Sequence, residues 1–252
     1  MSFPKPSDYP IWVRLLVVLF VLNITFFIAP LAAFLTWIPG IITVNQAIAA
    51  VGTLVASFAG AWFAFTFAKV QRDRERIDAD VAAGNIALFV LSEMWSELRQ
   101  HQIEVVEPNR GKTDVWLNLP ESQPLTESLS FDMKALSFVL QFDAPTFQQL
   151  LLEQRRFQQD AYMIEQHRSI LVSIVNPRLE AAGLRVGEGR PLAEFERIVG
   201  SGTARRLKLL TAAIIENFDD NVKTSREAFI RLRSVLKMIY PDRKFIDLNP
   251  NN

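Results

Sequence analysis

Residues 52–64 read GTLVASFAGAWFA, and four small residues recur in this stretch at every fourth position: Gly52, Ala56, Gly60 and Ala64. Residues four apart lie on one face of an α-helix, so these positions form a ridge that carries almost no side chain. The stretch belongs to a longer run, from Leu15 to Ala68, that contains no Asp, Glu, Lys or Arg. Because so long an uncharged run is typical of membrane segments, the first expectation is an apolar helix in lipid.

The uncharged run is long enough for two membrane spans, since a bilayer core of about 30 Å needs about 20 apolar helical residues. Pro39 and Gly40 divide the run, and both disfavour a continuous helix. The pattern predicts a helical hairpin, with one span from about Trp12 to Ile38 and a second from about Ile41 to Ala68. A cleaved signal peptide fits less well, because the run exceeds a usual signal and a second span follows at once.

Basic residues predict the orientation of this hairpin. Lys5 and Arg14 precede the uncharged run, the connection has no basic residue, and four basic residues follow the second span: Lys69, Arg72, Arg74 and Arg76. Basic residues favour the cytoplasmic side. We therefore expect a two-pass protein of a bacterial inner membrane with both termini in the cytoplasm. Its predicted parts are a tail (1–10), a transmembrane hairpin (11–68) and a cytoplasmic all-helical domain (69–252).

The small ridge has two interpretations. In lipid, small residues let helix backbones approach closely, so the ridge packs either against the first span or against a second copy. We expect a homo-oligomer, because a hairpin offers few internal partners. At equal depth Asn23 lies opposite Ala56 and Ser57, and its amide should bond to Ser57 or to another copy's Asn23. The uncharged run from Leu15 to Ala68 contains no ionisable group, which argues against an ion-coupled carrier.

Helical periodicity continues after the membrane segment. The second span is predicted to run on as one helix to about Glu104, with Gly84 as its one weak point, and a loop should follow over residues 105–131. Further helices are predicted at residues 131–140, from Pro145 with Asp143 as a cap, at residues 191–199, and from Ser201 to Pro241. The fold class is therefore all-α, with three long helices in a bundle.

No catalytic or metal-binding motif is present, and no cofactor is predicted. His101 shares a helix face with Glu93 and Glu97, which we interpret as a solvated surface. The loop before the last predicted helix and the start of that helix form a candidate anion contact, made of Gly200, Ser201, Gly202, Arg205 and Arg206. Free N–H groups at a helix start attract anions, but an ordinary capped loop explains the same residues.

The hairpin, the cluster KVQRDRER at residues 69–76 and the helical remainder together resemble the two-transmembrane effector proteins of bacterial retron antiphage systems. The resemblance covers the architecture of the whole chain and transfers no site residue. It implies a membrane protein that a reverse transcriptase–DNA complex holds inactive and that damages the membrane once released.

Three functions therefore compete. The leading hypothesis is a non-enzymatic, membrane-anchored oligomer whose cytoplasmic domain binds a protein or nucleoprotein partner. A membrane-disrupting defence effector is the first alternative, and a membrane-bound enzyme is the second. The chain has 27 basic and 27 acidic residues and no cysteine. It therefore has no global basic field for nucleic acid and no thiol chemistry.

Overall fold

The computed structural model describes residues 44–112, 115–126, 128–184 and 192–247. The predicted first span, the Pro39-Gly40 turn and Asn23 lie outside these residues. Within them every regular element is helical, which confirms the all-α class. The chain divides by its contacts into two units, Met1–Glu75 and Arg76–Asn252.

The first helix, α1, spans Val44–His101 and contains 58 residues. It confirms that the apolar stretch and the charged segment after it belong to one continuous helix. Gly84 does not weaken this helix as expected. A Cβ atom at Gly84 would lie 2.8 Å from Leu236 Cδ2, so the missing side chain allows two helices to pack closely.

Short helical segments follow α1 where a loop was expected. A π-helical turn covers Gln102–Val106, a 3-10 turn covers Glu107–Asn109, and α2 covers Val115–Asn118. Trp116 is buried. The helix expected from residue 131, α3, spans only Ser137–Phe142. It begins late because Asp132 Oδ1 accepts hydrogen bonds from the N–H groups of Lys134 and Ala135, which holds a turn there.

Two further long elements complete the bundle. Helix α4 spans Ala144–Ile170, and Asp143 caps it by accepting from the Thr146 N–H at 3.2 Å, as predicted. A π-helical turn at Leu171–Val175 leads to α5, Asn176–Ala181, whose first turn contains Pro177. Helix α6 spans Leu192–Val199 and α7 spans Ser201–Ile239. Pro241 follows the end of α7, where a helix end was predicted.

The apolar side chains of residues 76–247 form two clusters. The larger lies between α1, α4 and α7 and is built around fully buried side chains such as Leu91, Phe157 and Phe218. The smaller joins α2, α5 and α6 to the start of α7, with Trp116 and Phe195 packed edge to face at 5.5 Å. Each such side chain contributes about 1.5–3 kcal/mol when fully buried.

Candidate functional site

The small-residue ridge of α1 consists of Gly52, Ala56, Gly60 and Ala64, and all four residues are exposed. A Cβ atom built at Gly52 or Gly60 would meet no described atom within 4 Å. Ser57, beside the ridge, is exposed as well. Among the described residues nothing covers this face, so the ridge has room for the backbone of another helix.

The rest of this part of α1 is apolar and uncovered. An 18-residue window has a mean hydropathy of 1.6, and none of it is buried, so the helix is long and apolar enough to cross a membrane. Phe58 and Phe65 are 67% and 69% exposed. The hydroxyls of Thr53 and Thr66 donate to the helix's own carbonyls at 2.9 Å, which satisfies them without water. The surface thus has the chemistry that a bilayer interior requires.

The candidate anion contact lies at the start of α7. Gly200 is the N-cap, and its φ of 89° is a backbone conformation that favours glycine. The Arg178 guanidinium donates to the Val199 carbonyl. Arg206 donates to Gln166 on α4 at 2.8 Å. Gly202 and Arg205 are exposed, and the anion contact stays a prediction.

His101 does not lie on a solvated surface, so that interpretation is wrong. The residue is only 7% exposed, because α1 packs this face against α7, and its ring centroid lies 4.7 Å from that of Phe218. Glu97, one turn earlier, accepts the Thr126 N–H at 2.8 Å. In the described part of the chain no three His, Cys, Asp or Glu residues are grouped so that they could hold a metal ion.

A row of buried polar residues runs along α4, and sequence reasoning missed it. Its members recur at seven-residue intervals and are each at most 2% exposed: Thr146, Glu153, Asp160 and His167. An apolar row with the same spacing runs beside it: Leu150, Phe157, Ile164 and Leu171. Together the two rows occupy the positions that form the seam of a coiled coil. The seven-residue recurrence of polar residues was the signal in the sequence.

Helix α7 supplies the partners of this polar row. Asn221 Nδ2 donates to Asp160 Oδ2 at 2.6 Å. Thr224 and Ser225 donate to Glu153 Oε2 at 3.0 and 3.3 Å. Buried polar contacts of this kind fix the register of two helices at a cost in stability. The row therefore specifies how α4 pairs with α7.

Burial shifts the pKa values of four side chains in the interior of the bundle. It raises the pKa of Asp160 to about 6 and also raises the pKa of Glu153. It lowers the pKa values of His101 and His167 to about 4, and the charge of His101 lowers that of His167 further. Four buried polar atoms here have no partner among the described residues: His101 Nε2, His167 Nε2, Asp160 Oδ1 and Thr211 Oγ1.

An apolar groove lies on the surface of residues 76–247. Its volume is about 340 Å³, and it lies between the side chains of α1 and the turn before α3: Ala79, Ala82, Ala83, Ile86, Ala87, Val90, Phe131, Asp132, Ala135 and Leu136. Ile86 and the neighbouring Phe89 are 62% and 54% exposed. Exposed apolar side chains beside a groove are typical of surfaces that bind another protein.

The chain matches no protein-family model, no curated protein and no solved structure.

Proposed function

We propose that this chain is a non-enzymatic, membrane-anchored helical oligomer of the bacterial inner membrane whose cytoplasmic domain binds a protein or nucleoprotein partner. One observation supports it above the others. A fully uncovered apolar window lies in the same helix, α1, that also packs into a bundle with a buried core. Leaving such a window in water would forgo about 25 cal/mol for every Å² of apolar surface, which a bilayer recovers.

The open ridge supports oligomerisation. Lipid tails are as apolar as the ridge itself, so helices associate there through close backbone contact. Gly52 and Gly60 leave that contact surface free among the described residues. The predicted first span competes for the same face, and cross-linking of the intact chain separates the two interpretations.

The apolar groove supports partner binding by the domain from Arg76 onward. Ile86, which lines the groove, and Phe89, one turn further along α1, expose large side chains, and five alanines line the same groove. A helix or loop that presents an apolar side chain would fill this space. Three residues with strongly shifted pKa values, His101, His167 and Asp160, are buried within the bundle instead, which gives a substrate no access to them.

The test of membrane anchoring uses the intact chain expressed in bacteria. We expect it to remain in the membrane pellet after extraction at pH 11 and to require detergent for release. It should also float with liposomes on a density gradient. A chain that alkaline extraction releases as a soluble species would refute the proposal, because integral membrane helices resist such treatment.

The membrane-disrupting effector remains the second candidate, supported by the uncovered ridge from which a multimer could assemble. The two functions differ in one measurable consequence. A scaffold leaves cells viable when expressed alone, whereas an effector depolarises the membrane and stops growth. Gly60→Leu should restore growth only in the second case, since it fills the ridge while the chain remains anchored.

A further inference from the structure

His101 and His167 are buried, and the Nε2 atom of each has no hydrogen-bond partner among the described residues. Helices α4 and α7 run antiparallel, because Glu153 bonds to Ser225 while Asp160 bonds to Asn221. By this register His167 lies at the level of Thr211, whose buried hydroxyl has no partner among the described residues. His101 enters from α1, and its ring packs against Phe218 of α7, about two turns along α7 from Thr211. The two histidines therefore lie at neighbouring levels of the interface between the three long helices.

Several charged side chains on the three long helices are engaged with other partners. Asp219 on α7 binds Arg110 and Gln102, each at 2.6 Å. On α4, Arg168 binds Glu121 and Glu165, and Arg156 binds Glu153. On α1, Glu97 accepts the Thr126 N–H. Glu104 raises the pKa of His101, but by less than burial lowers it.

We propose that these two histidines make the α1–α4–α7 interface a proton-sensitive latch, which is closed while both rings are neutral and opens locally when they are protonated. This regulation goes beyond the proposed function and does not depend on membrane insertion, because all of its residues lie in the unit Arg76–Asn252. Opening would separate α4 from α7 around the two histidines and give the imidazolium ions access to water.

The direction follows from the linkage between protonation and folding. Each histidine has an ordinary pKa of 6.5 and a folded pKa of about 4. Its contribution to the stability of the closed state is therefore fully present above pH 6.5 and is lost as the pH falls from 6.5 towards 4. Asp160 acts in the opposite direction. Its pKa rises from 3.8 to about 6 on folding, so it favours the closed state as pH falls through 6. Glu153, also raised, acts in the same direction as Asp160.

These opposing effects give a quantitative expectation. From pH 7.5 to 5.0 each histidine raises the opening equilibrium constant about 27-fold, and Asp160 lowers it about 10-fold. If the open state exposes all three groups, the net increase is about 70-fold, and Glu153 reduces it somewhat. Asp160→Asn keeps an acceptor for Asn221 but removes the titration, so its increase should be about 700-fold.

The experiment is hydrogen–deuterium exchange of the intact chain in lipid nanodiscs at pH 7.5 and 5.0, corrected for the intrinsic exchange rate. Peptides that cover residues 157–170 and 207–221 should exchange tens of times faster at pH 5.0 in the wild type and faster still in Asp160→Asn. The double variant His101→Gln with His167→Gln should lose this acceleration. Equal acceleration in the wild type and the double variant would overturn the latch.

A second measurement keeps the inference testable if the double variant does not fold. The imidazole Cε1 protons of the wild-type chain should titrate well below pH 6, together with the loss of protection in the same peptides. Titration near 6.5 with unchanged protection would contradict the latch. The single variant His167→Gln keeps one of the two histidines. Its increase in the opening equilibrium constant from pH 7.5 to 5.0 should be about 27-fold smaller than that of the wild type.

Discussion

At the scale of single residues, Phe218 is the sharpest test of the bundle's core. Its side chain is fully buried on α7 and packs against the His101 ring. Phe218→Asp would bury an unpaired charge and remove an aromatic side chain, so we expect the chain to lose more than about 4 kcal/mol of unfolding free energy. Exposed Asp220 supplies the control, because Asp220→Ala should change stability by less than about 0.5 kcal/mol. Chemical denaturation of the detergent-solubilised chain measures both, and equal stabilities would show that the assigned face of α7 is wrong.

Gly84 gives a second prediction at this scale. Gly84→Leu inserts a side chain where a Cβ atom already lies 2.8 Å from Leu236, so it should destabilise the bundle by about 1–3 kcal/mol. The matched control is Gly202→Leu, where a Cβ atom meets nothing within 4 Å among the described residues. The control should stabilise α7 by up to about 1 kcal/mol through helix propensity. A thermal melt in which Gly84→Leu is more stable than Gly202→Leu would contradict the close packing of α1 against α7.

Residue exposure was predictable only where the apolar periodicity was clear. Phe218 and Leu232 on α7 have the burial that their spacing indicates. The burial of His101 was not predictable in this way, because a polar residue on the same face as two glutamates gives no local sign that another helix will cover it. Gly84 was misread for a related reason: a missing side chain looks like weakness until the neighbouring helix is known.

At the scale of helices, the ridge of α1 carries the third prediction. Gly60→Leu fills the ridge and should reduce cross-linked oligomers more than Asn23→Leu does, because an interhelical amide bond in membranes is worth only about 1 kcal/mol. Phe58→Leu lies on another face of α1 and should leave the oligomers unchanged. If Gly60→Leu and Phe58→Leu give the same cross-linking ladder as the wild type, the ridge faces lipid or the same chain.

Helix ends were largely predictable, and helix pairing was not. Asp143 with Pro145, Pro177 and Pro241 mark boundaries through local backbone chemistry, and the structure has boundaries at these places. The polar row of α4 was missed because a search for apolar periodicity passes over Glu153 and Asp160. Their burial depends on hydrogen-bond donors 61 to 72 residues away on α7, which no local pattern shows.

At the scale of the whole molecule, the central claim is that α1 crosses a bilayer and that the bundle lies in the cytoplasm. Because the chain has no cysteine, single cysteines introduced at chosen positions report access unambiguously. Phe58 lies in the apolar window and Ser234 lies on the exposed surface of α7. Gly40, outside the described residues, marks the predicted external turn.

The most direct measurement is labelling of Phe58→Cys, Ser234→Cys and Gly40→Cys with a membrane-impermeant maleimide, in intact spheroplasts and in inverted membrane vesicles. We expect Gly40→Cys to be labelled only in spheroplasts and Ser234→Cys only in inverted vesicles, while Phe58→Cys reacts in neither until detergent is added. Labelling of Ser234→Cys from outside the cell, or of Phe58→Cys in sealed vesicles, would contradict the membrane-anchored arrangement.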